Sequence, residues 1–499
     1  MAEPNFENRT LYHGDNLKFL RGMNSETVDL IATDPPFNKN RDFHATPDSL
    51  AAGAKFQDRW SWERDVHSDW VDQITDDYPR LMEAIESARF AHSDGMGAFM
   101  CFMAVRLLEM WRVLKPTGSL YLHCDPTASH YLKAVMDAIF GYRRFRSDIT
   151  WRRVNPTGRG SKRFANNTDC ILYYVVSEDF RWTQVHRPHD ERYISKAYRH
   201  VDADGRRYRI GDLKGAGIRR GSSGKPWRGV DPNETGSHWA VPNLAIPPRL
   251  REASSQEKLD YLDSIGRIYW PPRGKMPRYI GFLDEMPGTP IDTLWDDIGG
   301  LQATDPQRTG YPTQKPLALY ERIIKASSNE GDMVLDPFCG CATTPVSAER
   351  LGRQWVGIDI WDKAHEVVVD RLKNEVGLFG QVHYSTEPPT RTDDAQPAAP
   401  FLRVKQRHEP PGPKMSRAEM YAHLLEQHGS RCQGCYRDFD DPRYLQLDHN
   451  VPRSDGGLNH ISNRVLLCGP CNRLKSNIYT LSGLRRQNKQ LGYMSKDLL

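Results

Sequence analysis

The run VLDPFCGCATTPVSAERLGRQWVGIDI, from Val334 to Ile360, leaves few folds open. An apolar strand ends at Asp336, a turn of small residues (Cys339, Gly340, Cys341, Ala342) opens a helix, and a second strand ends at Asp359. Small residues let a ligand approach the backbone at a helix start, and an acid at the end of the next strand can accept hydrogen bonds from ribose hydroxyls. A Gly-rich turn alone is more often a tight strand-to-helix connection. Asp359 at the right distance and YPTQKP (Tyr311–Pro316) just upstream raise it to a nucleotide-binding reading.

The same alternation of strand and helix occupies the N-terminal part. VDLIAT and GSLYLH read as strands, FMAVRLLEMWRVL as a helix with a core stripe through Leu107, Leu108 and Trp111, and SHYLKAVMDAIFG as a helix closed by Gly141. From about Thr150 to Gly300 the text turns basic, irregular and rich in Gly, Pro and Trp, and from Gly310 to Gly380 the α/β pattern returns. One domain is therefore split by an insertion. STEPPTRTDDAQPAAP and HEPPGPK have the composition of an extended linker, and a further unit follows them. The expected divisions are 1–150, 151–300, 301–380, a Pro-rich linker 381–415, and 416–499.

Composition excludes several classes. With 38% apolar and 26% charged residues in 499, the chain reads as soluble and folded, too long for one core. No apolar run is long enough to cross a membrane, and MAEPNFENRT has no signal-peptide pattern, so a cytoplasmic protein without a membrane partner is expected. Nine cysteines, four of them in two C-x-x-C pairs, suggest metal binding in a reducing compartment. Basic residues gather in two places: 13 Lys/Arg against 5 Asp/Glu from Arg181 to Arg228, and 16 against 9 from Phe401 to the end. Arginines mixed with Tyr208, Trp227 and glycines in RRYRIGDLKGAGIRRGSSGKPWRG suit phosphate contact and base stacking; the plainer reading is a solvated surface.

Together, DPPF (Asp34–Phe37), YPTQKP and DPFCGCATT resemble the amino-methylating DNA methyltransferases that use S-adenosylmethionine, over roughly residues 10–375. Their order, catalytic motif first, recognition insert next and cofactor motif last, is similar to the beta arrangement of that family, and GKPWRGVDPNETGSHWA resembles its adenine-specific members. The resemblance implies a Rossmann-like sheet, double-stranded DNA as partner, and a cofactor site that includes Asp15, Lys315, Asp336, Phe338, Gly340 and Asp359. It also implies a catalytic loop Asp34, Pro35, Pro36 and Phe37. One departure is Ala342, where the family has glycine; alanine costs little there if φ is negative.

The loop chemistry fits amine methylation. An exocyclic amine conjugated to a base ring is a poor nucleophile, and the Asp34 carboxylate, accepting its hydrogen bonds, localises the lone pair toward the methyl donor. Pro35 and Pro36 stiffen the loop and offer carbonyls without N–H groups, and Phe37 offers a stacking face. The base must leave the duplex stack to reach them. In this family an Asp at the first position goes with adenine N6 and a Ser more often with cytosine N4. FRSDITWRR resembles the segment that closes over the flipped base, with Trp151 as a stacking or a core residue.

The last unit has its own chemistry. Cys432, Cys435, Cys468 and Cys471 have tetrahedral zinc spacing, and LQLDHNVPRSDGGLNHISNRVLLCGPCNRLKSN resembles the HNH nucleases with their ββα-metal fold. That resemblance implies His449 as general base, Asp448 and Asn472 as ligands of Mg²⁺ or Mn²⁺, and Asn463 as the residue fixing the loop that orients His449. Asn472 stands where histidine is common. The expected function is a site-specific adenine-N6 DNA methyltransferase fused to an HNH endonuclease, a restriction-modification or DNA-defence enzyme of a prokaryotic or phage-infected cell. The alternative is a solitary adenine or cytosine methyltransferase with a non-catalytic zinc module that holds DNA. Oligomeric state stays open, a dimer included.

Overall fold

The computed structural model describes residues 3–46, 49–154, 162, 164–272, 276–302, 304–373, 381–393, 415–451, 458–475 and 479–495. Two compact units divide it: 1–183 with 292–499, and 184–291.

The first unit is built on a nine-stranded sheet. Its strands are β1 (Thr10–His13), β2 (Val28–Thr33), β3 (Leu114–Cys124), β4 (Phe145–Arg152), β5 (Thr168–Val175), β6 (Leu294–Trp295), β7 (Met333–Asp336), β8 (Gln354–Asp359) and β9 (His383–Ser385). They lie in the order β6-β4-β5-β3-β2-β7-β8-β1-β9, and β5 runs antiparallel to both of its neighbours. Every residue of β2 and β7 is buried, as expected of strands covered on both faces. Pairing of Leu30 with Val334 and Ile31 with Leu335 makes neighbours of two strands some 300 positions apart, which closes the split domain. Strand order reverses there, and in such sheets the crevice beyond the carboxyl ends at the reversal is where ligands sit.

Helices α1 (Asn16–Gly22), α2 (Trp62–Asp65), α3 (Ser68–Asp77), α4 (Pro79–Ala91), α5 (Asp94–Val113), α6 (Pro126–Phe140), α7 (Leu317–Ser327), α8 (Thr343–Arg350) and α9 (Ala364–Leu372) accompany the sheet. Long α5 is buried nearly all round, and its charged pair Glu109–Arg112 (2.8 Å) is tolerated because Arg112 also donates to the carbonyls of Leu20 and Met23. α6 stops at Gly141, whose φ of 87° suits glycine. None of the described helices is long and apolar enough to cross a membrane.

Several expectations shift. Thr168–Val175 and Trp295 belong to the sheet, so the compact insert, 184–291, is narrower than 151–300. FRSDITWRR forms β4 and does not close over a cleft; Trp151 is 1% exposed and donates to the Ile298 carbonyl at 2.7 Å, a core residue. Part of the expected linker is held: β9 adds to the sheet edge, and Thr392 and Asp393 bond Asn24 and Ser25. HEPPGPK lies outside the described residues.

Unit 184–291 has a four-stranded sheet and a core of Leu213, Trp227, Trp239, Leu259, Leu262 and Tyr279. Trp227 donates to Asp260 at 2.8 Å and Trp239 to the Lys225 carbonyl at 2.9 Å. Trp227 therefore holds the core together and is not available to stack on a base.

The C-terminal residues form an antiparallel pair, β10 (Leu445–His449) and β11 (Arg464–Cys468), with α10 (Arg417–His428), α11 (Gly469–Lys475) and α12 (Leu481–Gln490). Pair plus α11 is the expected ββα arrangement. A capping box, Ser416 with Glu419, starts α10.

Candidate functional site

A cleft of about 870 Å³, open to solvent, lies beyond the carboxyl ends of β2, β7 and β8. Its walls carry Asp34–Phe37 after β2, Asp336 at the end of β7 with Phe338–Cys341 beyond it, Asp359 at the end of β8, and Tyr311 with Lys315 from the segment before α7. Sequence motifs far apart thus meet at one place.

Asp34 is the best-defined acid there. Its Oδ2 accepts from Lys315 Nζ at 2.6 Å, and Lys315 is itself held by the Thr313 carbonyl at 3.1 Å. Its Oδ1 is buried with no hydrogen-bond partner among the described residues. Nδ1 of His123 lies 3.9 Å from that oxygen. Phe37 lies 5.6 Å from the His123 ring, with Lys315 Nζ 5.1 Å from its own centroid.

His123 was not among the residues the sequence pointed to. It is the penultimate residue of β3, is 2% exposed, and meets Asp169 of β5 through Nε2 at 3.1 Å. Asp169 also pairs with Arg153 at 2.9 Å. Burial pushes the Asp169 carboxyl up, but the hydrogen bond and charge of His123, with Lys315 and Arg153, outweigh it and hold the group below its ordinary value. A histidine at the end of GSLYLH, before the Asp125 that caps α6, was the available signal.

Asp336 accepts from Thr33 Oγ1 at 2.7 Å and from the Phe338 amide at 3.1 Å, and burial pushes it up to about 7. Asp359 accepts from the Gly340 amide at 2.7 Å and the Trp361 amide at 2.8 Å, tying the turn to the strand end; burial raises it as well. Gly340 has φ 50°, and a Cβ there would meet the Tyr311 ring at 3.0 Å, so the wall needs glycine. Ala342 has φ 64° and ψ 38°, in the left-handed region. The condition under which alanine costs little is not met, and the alanine carries the strain that glycine would avoid. Asp15 is exposed, caps α1 and pairs with buried Arg106 at 2.8 Å; it does not line the cleft.

In the insert, Arg219, Arg220, Lys225 and Arg228 are exposed. Asn233 clamps their loop by donating to the carbonyls of Arg219 (3.2 Å) and Gly224 (2.9 Å). A Cβ on Gly224 would overlap the Arg219 carbonyl, so only glycine lets this basic loop close.

In the C-terminal unit the ligand sulfurs of Cys432, Cys435, Cys468 and Cys471 lie within 4.8 Å of one another, all buried. Tetrahedral Zn–S bonds of about 2.3 Å separate sulfurs by about 3.8 Å; Cys435 and Cys468 stand 3.9 Å apart. The Cys468 amide (3.2 Å) and Asn488 Nδ2 (3.3 Å) donate to sulfurs, as thiolates require. The four residues fit a zinc ion.

Asp448 pairs with the buried Lys475 ammonium at 3.1 Å, and His449 Nδ1 meets Arg464 at 3.1 Å. Asn463 accepts from the Val451 amide at 2.8 Å and donates to the carbonyls of Val451 and Leu458. Asn472 donates to Gln446 at 2.6 Å.

Comparison with known proteins follows the same division. A family described as DNA methylase matches residues 28–370, more than half of the chain, and one described as HNH endonuclease matches 432–477. Over 262 residues the chain is 32% identical to the type II methyltransferase M.EcaI of Enterobacter cloacae, covering 52% of this chain and 54% of that protein. It is 26% identical to the Mod subunit of the type III restriction-modification enzyme StyLTI of Salmonella typhimurium, covering 71% and 52%. It is 24% identical to the DNA adenine methyltransferase YhdJ of Escherichia coli, covering 76% and 86%. The chain spans about half the length of the first two relatives.

Proposed function

Because the chain belongs to the N6/N4 DNA methylase family and carries an HNH endonuclease domain, we propose that it methylates adenine N6 in a specific double-stranded DNA sequence and cuts DNA through the HNH domain. It is then a single-chain restriction-modification enzyme. The observation that carries the first half is the buried, unpartnered Oδ1 of Asp34 in the cleft. An exocyclic N–H is the donor this oxygen lacks.

Oδ1 accepts one amine hydrogen and draws the nitrogen lone pair out of conjugation. Lys315 donates to Oδ2, which fixes the carboxylate in place. His123, braced by Asp169, stands behind Oδ1, and Phe37 supplies the apolar wall against a flipped base. S-adenosylmethionine, when bound, supplies a methyl group on a sulfonium centre. Gly340, Phe338, Asp336 and Asp359 would hold it, the small turn permitting close approach and Asp359 offering its remaining lone pairs to ribose hydroxyls. Lys315 then belongs to the catalytic acid more than to the cofactor. Adenine is favoured by the aspartate that opens DPPF and by the named activity of the Escherichia coli relative. The exposed basic loop 219–228 suits contact with DNA phosphates.

For the HNH half, His449 is the base that activates water, Asn463 fixes its loop, and Asp448 with Asn472 would hold Mg²⁺ or Mn²⁺. The pairing of Asp448 with Lys475 and the turn of Asn472 toward Gln446 favour a second reading, a zinc module that grips DNA without cutting. Plasmid digestion with Mg²⁺ or Mn²⁺, on modified and unmodified DNA, separates the two. Long-read sequencing of DNA from cells expressing the protein tests the methylase half: N6-methyladenine in one motif supports it, and unmodified DNA or N4-methylcytosine contradicts it.

A further inference from the structure

Helices α2, α3 and α4 give no residue to the cleft. Yet α3 carries Asp72, only 8% exposed, a costly place for a carboxylate without partners. Both of its oxygens are served by the C-terminal unit. Oδ2 accepts from Thr480 Oγ1, and Oδ1 pairs with Arg486 at 2.7 Å. Arg486 reaches Asp76, one turn further along α3, at 3.4 Å.

The fit extends on both sides of the pair. Thr480 is the N-cap of α12, its oxygen accepting from the Gly483 amide, so Asp72 sits where the helix start favours negative charge. A Cβ on Gly483 would come within 3.2 Å of Asp72 Oδ1 and of the Tyr479 ring, so this position is kept small to let α12 approach. On α4, Arg89 lies 4.2 Å over the buried Trp62 ring and reaches the Tyr479 hydroxyl at 3.4 Å. A buried acid, a glycine approach, a capped helix start and an arginine–tyrosine contact form a built interface within the first unit.

We propose that α2–α4 are a docking platform for the HNH domain, and that this contact, not the length of the intervening chain, sets the distance between the methylated base and the cut. Residues 68–76 and 479–486 are the two halves of the contact. The cutting consequence rests on the function proposed above; the docking itself does not. A tethered nuclease would cut over a spread of distances, whereas a docked one cuts at one separation.

Hydrogen exchange on the full-length protein tests the docking without any activity. Arg486→Glu, on the nuclease side, should raise exchange across Ser68–Asp77, on the methylase side, roughly tenfold. Arg486→Lys, which keeps a cation beside Asp72, should retain protection, and bound zinc and methylation should stay at wild-type levels in both. Exchange in α3 that is unchanged by Arg486→Glu overturns the proposal, as does faster exchange accompanied by loss of zinc, which would report unfolding. On cleaved DNA, one methyl-to-cut separation in the wild type that broadens in Arg486→Glu supports it, and a broad spread in the wild type contradicts it. Should the wild type never cut, the nuclease reading fails while the exchange result still decides the docking.

Discussion

Two acids in this chain stand at the end of a strand beside a buried lysine, and the comparison between them separates a poised site from a guarded one. Asp34 meets Lys315 at 2.6 Å and keeps its other oxygen buried without a hydrogen-bond partner among the described residues, facing a cleft. Asp448 meets Lys475 at 3.1 Å on a half-exposed surface, and the amide expected to join it in holding metal is turned to Gln446. What differs is the unused hydrogen-bonding capacity: a buried acceptor with nothing to accept is the mark of a site awaiting a donor.

The largest expected effect breaks the comparison on the guarded side. Cys432→Ser should release zinc and unfold the C-terminal unit, abolishing any cleavage, whereas His449→Ala should abolish cleavage with zinc and DNA binding retained. Zinc content and circular dichroism decide between them. Next, removing each lysine should act in opposite senses. Lys315→Met should lower the methylation rate about 100-fold, because Asp34 loses the donor that holds its Oδ2 in place. Lys475→Met should lower the half-saturating Mn²⁺ concentration for cleavage about fivefold, since an uncompensated Asp448 attracts the cation more strongly. Equal losses in both activities would show that the two pairs are merely structural.

Smaller effects sharpen the account of the cleft. Asp336, pushed up to about 7, stays protonated in the fold where the unfolded chain ionises near 4. Stability should therefore fall as pH rises from about 4 to about 7 and level off above, by a few kcal/mol at most. Asp336→Asn keeps the acceptor for Thr33 and Phe338 and should flatten that dependence in thermal unfolding. Smallest is Ala342→Gly, which relieves a left-handed alanine and should add about 1 kcal/mol of stability. Loss of stability in that variant would mean that the Ala342 methyl packs better than its backbone suffers.

What could be read in the sequence was local. DPPF, YPTQKP, DPFCG and the cysteine pairs each sit in a few consecutive residues whose types serve one job, and the strand reversal then brings them to one cleft. His123 and Asp169 escaped because they meet only across antiparallel β3 and β5, whose register sets His123 opposite Ile171. TDCILYYV was passed over as part of a basic insert although it is an apolar strand. Trp227 looked suited to stacking because composition cannot tell an exposed ring from one in a small core. The contact of Asp72 with Thr480 joins residues 408 positions apart, beyond the reach of any pattern.

The central claim is that the free oxygen of Asp34 receives the target amine. The most direct test is Asp34→Ala, with product nucleosides from treated DNA measured by mass spectrometry and S-adenosylmethionine binding by calorimetry. Wild type should yield N6-methyladenine, and the variant should yield at least about 1,000-fold less while binding the cofactor within about twofold of wild type. N6-methyladenine formed by the variant at a wild-type rate would contradict the claim.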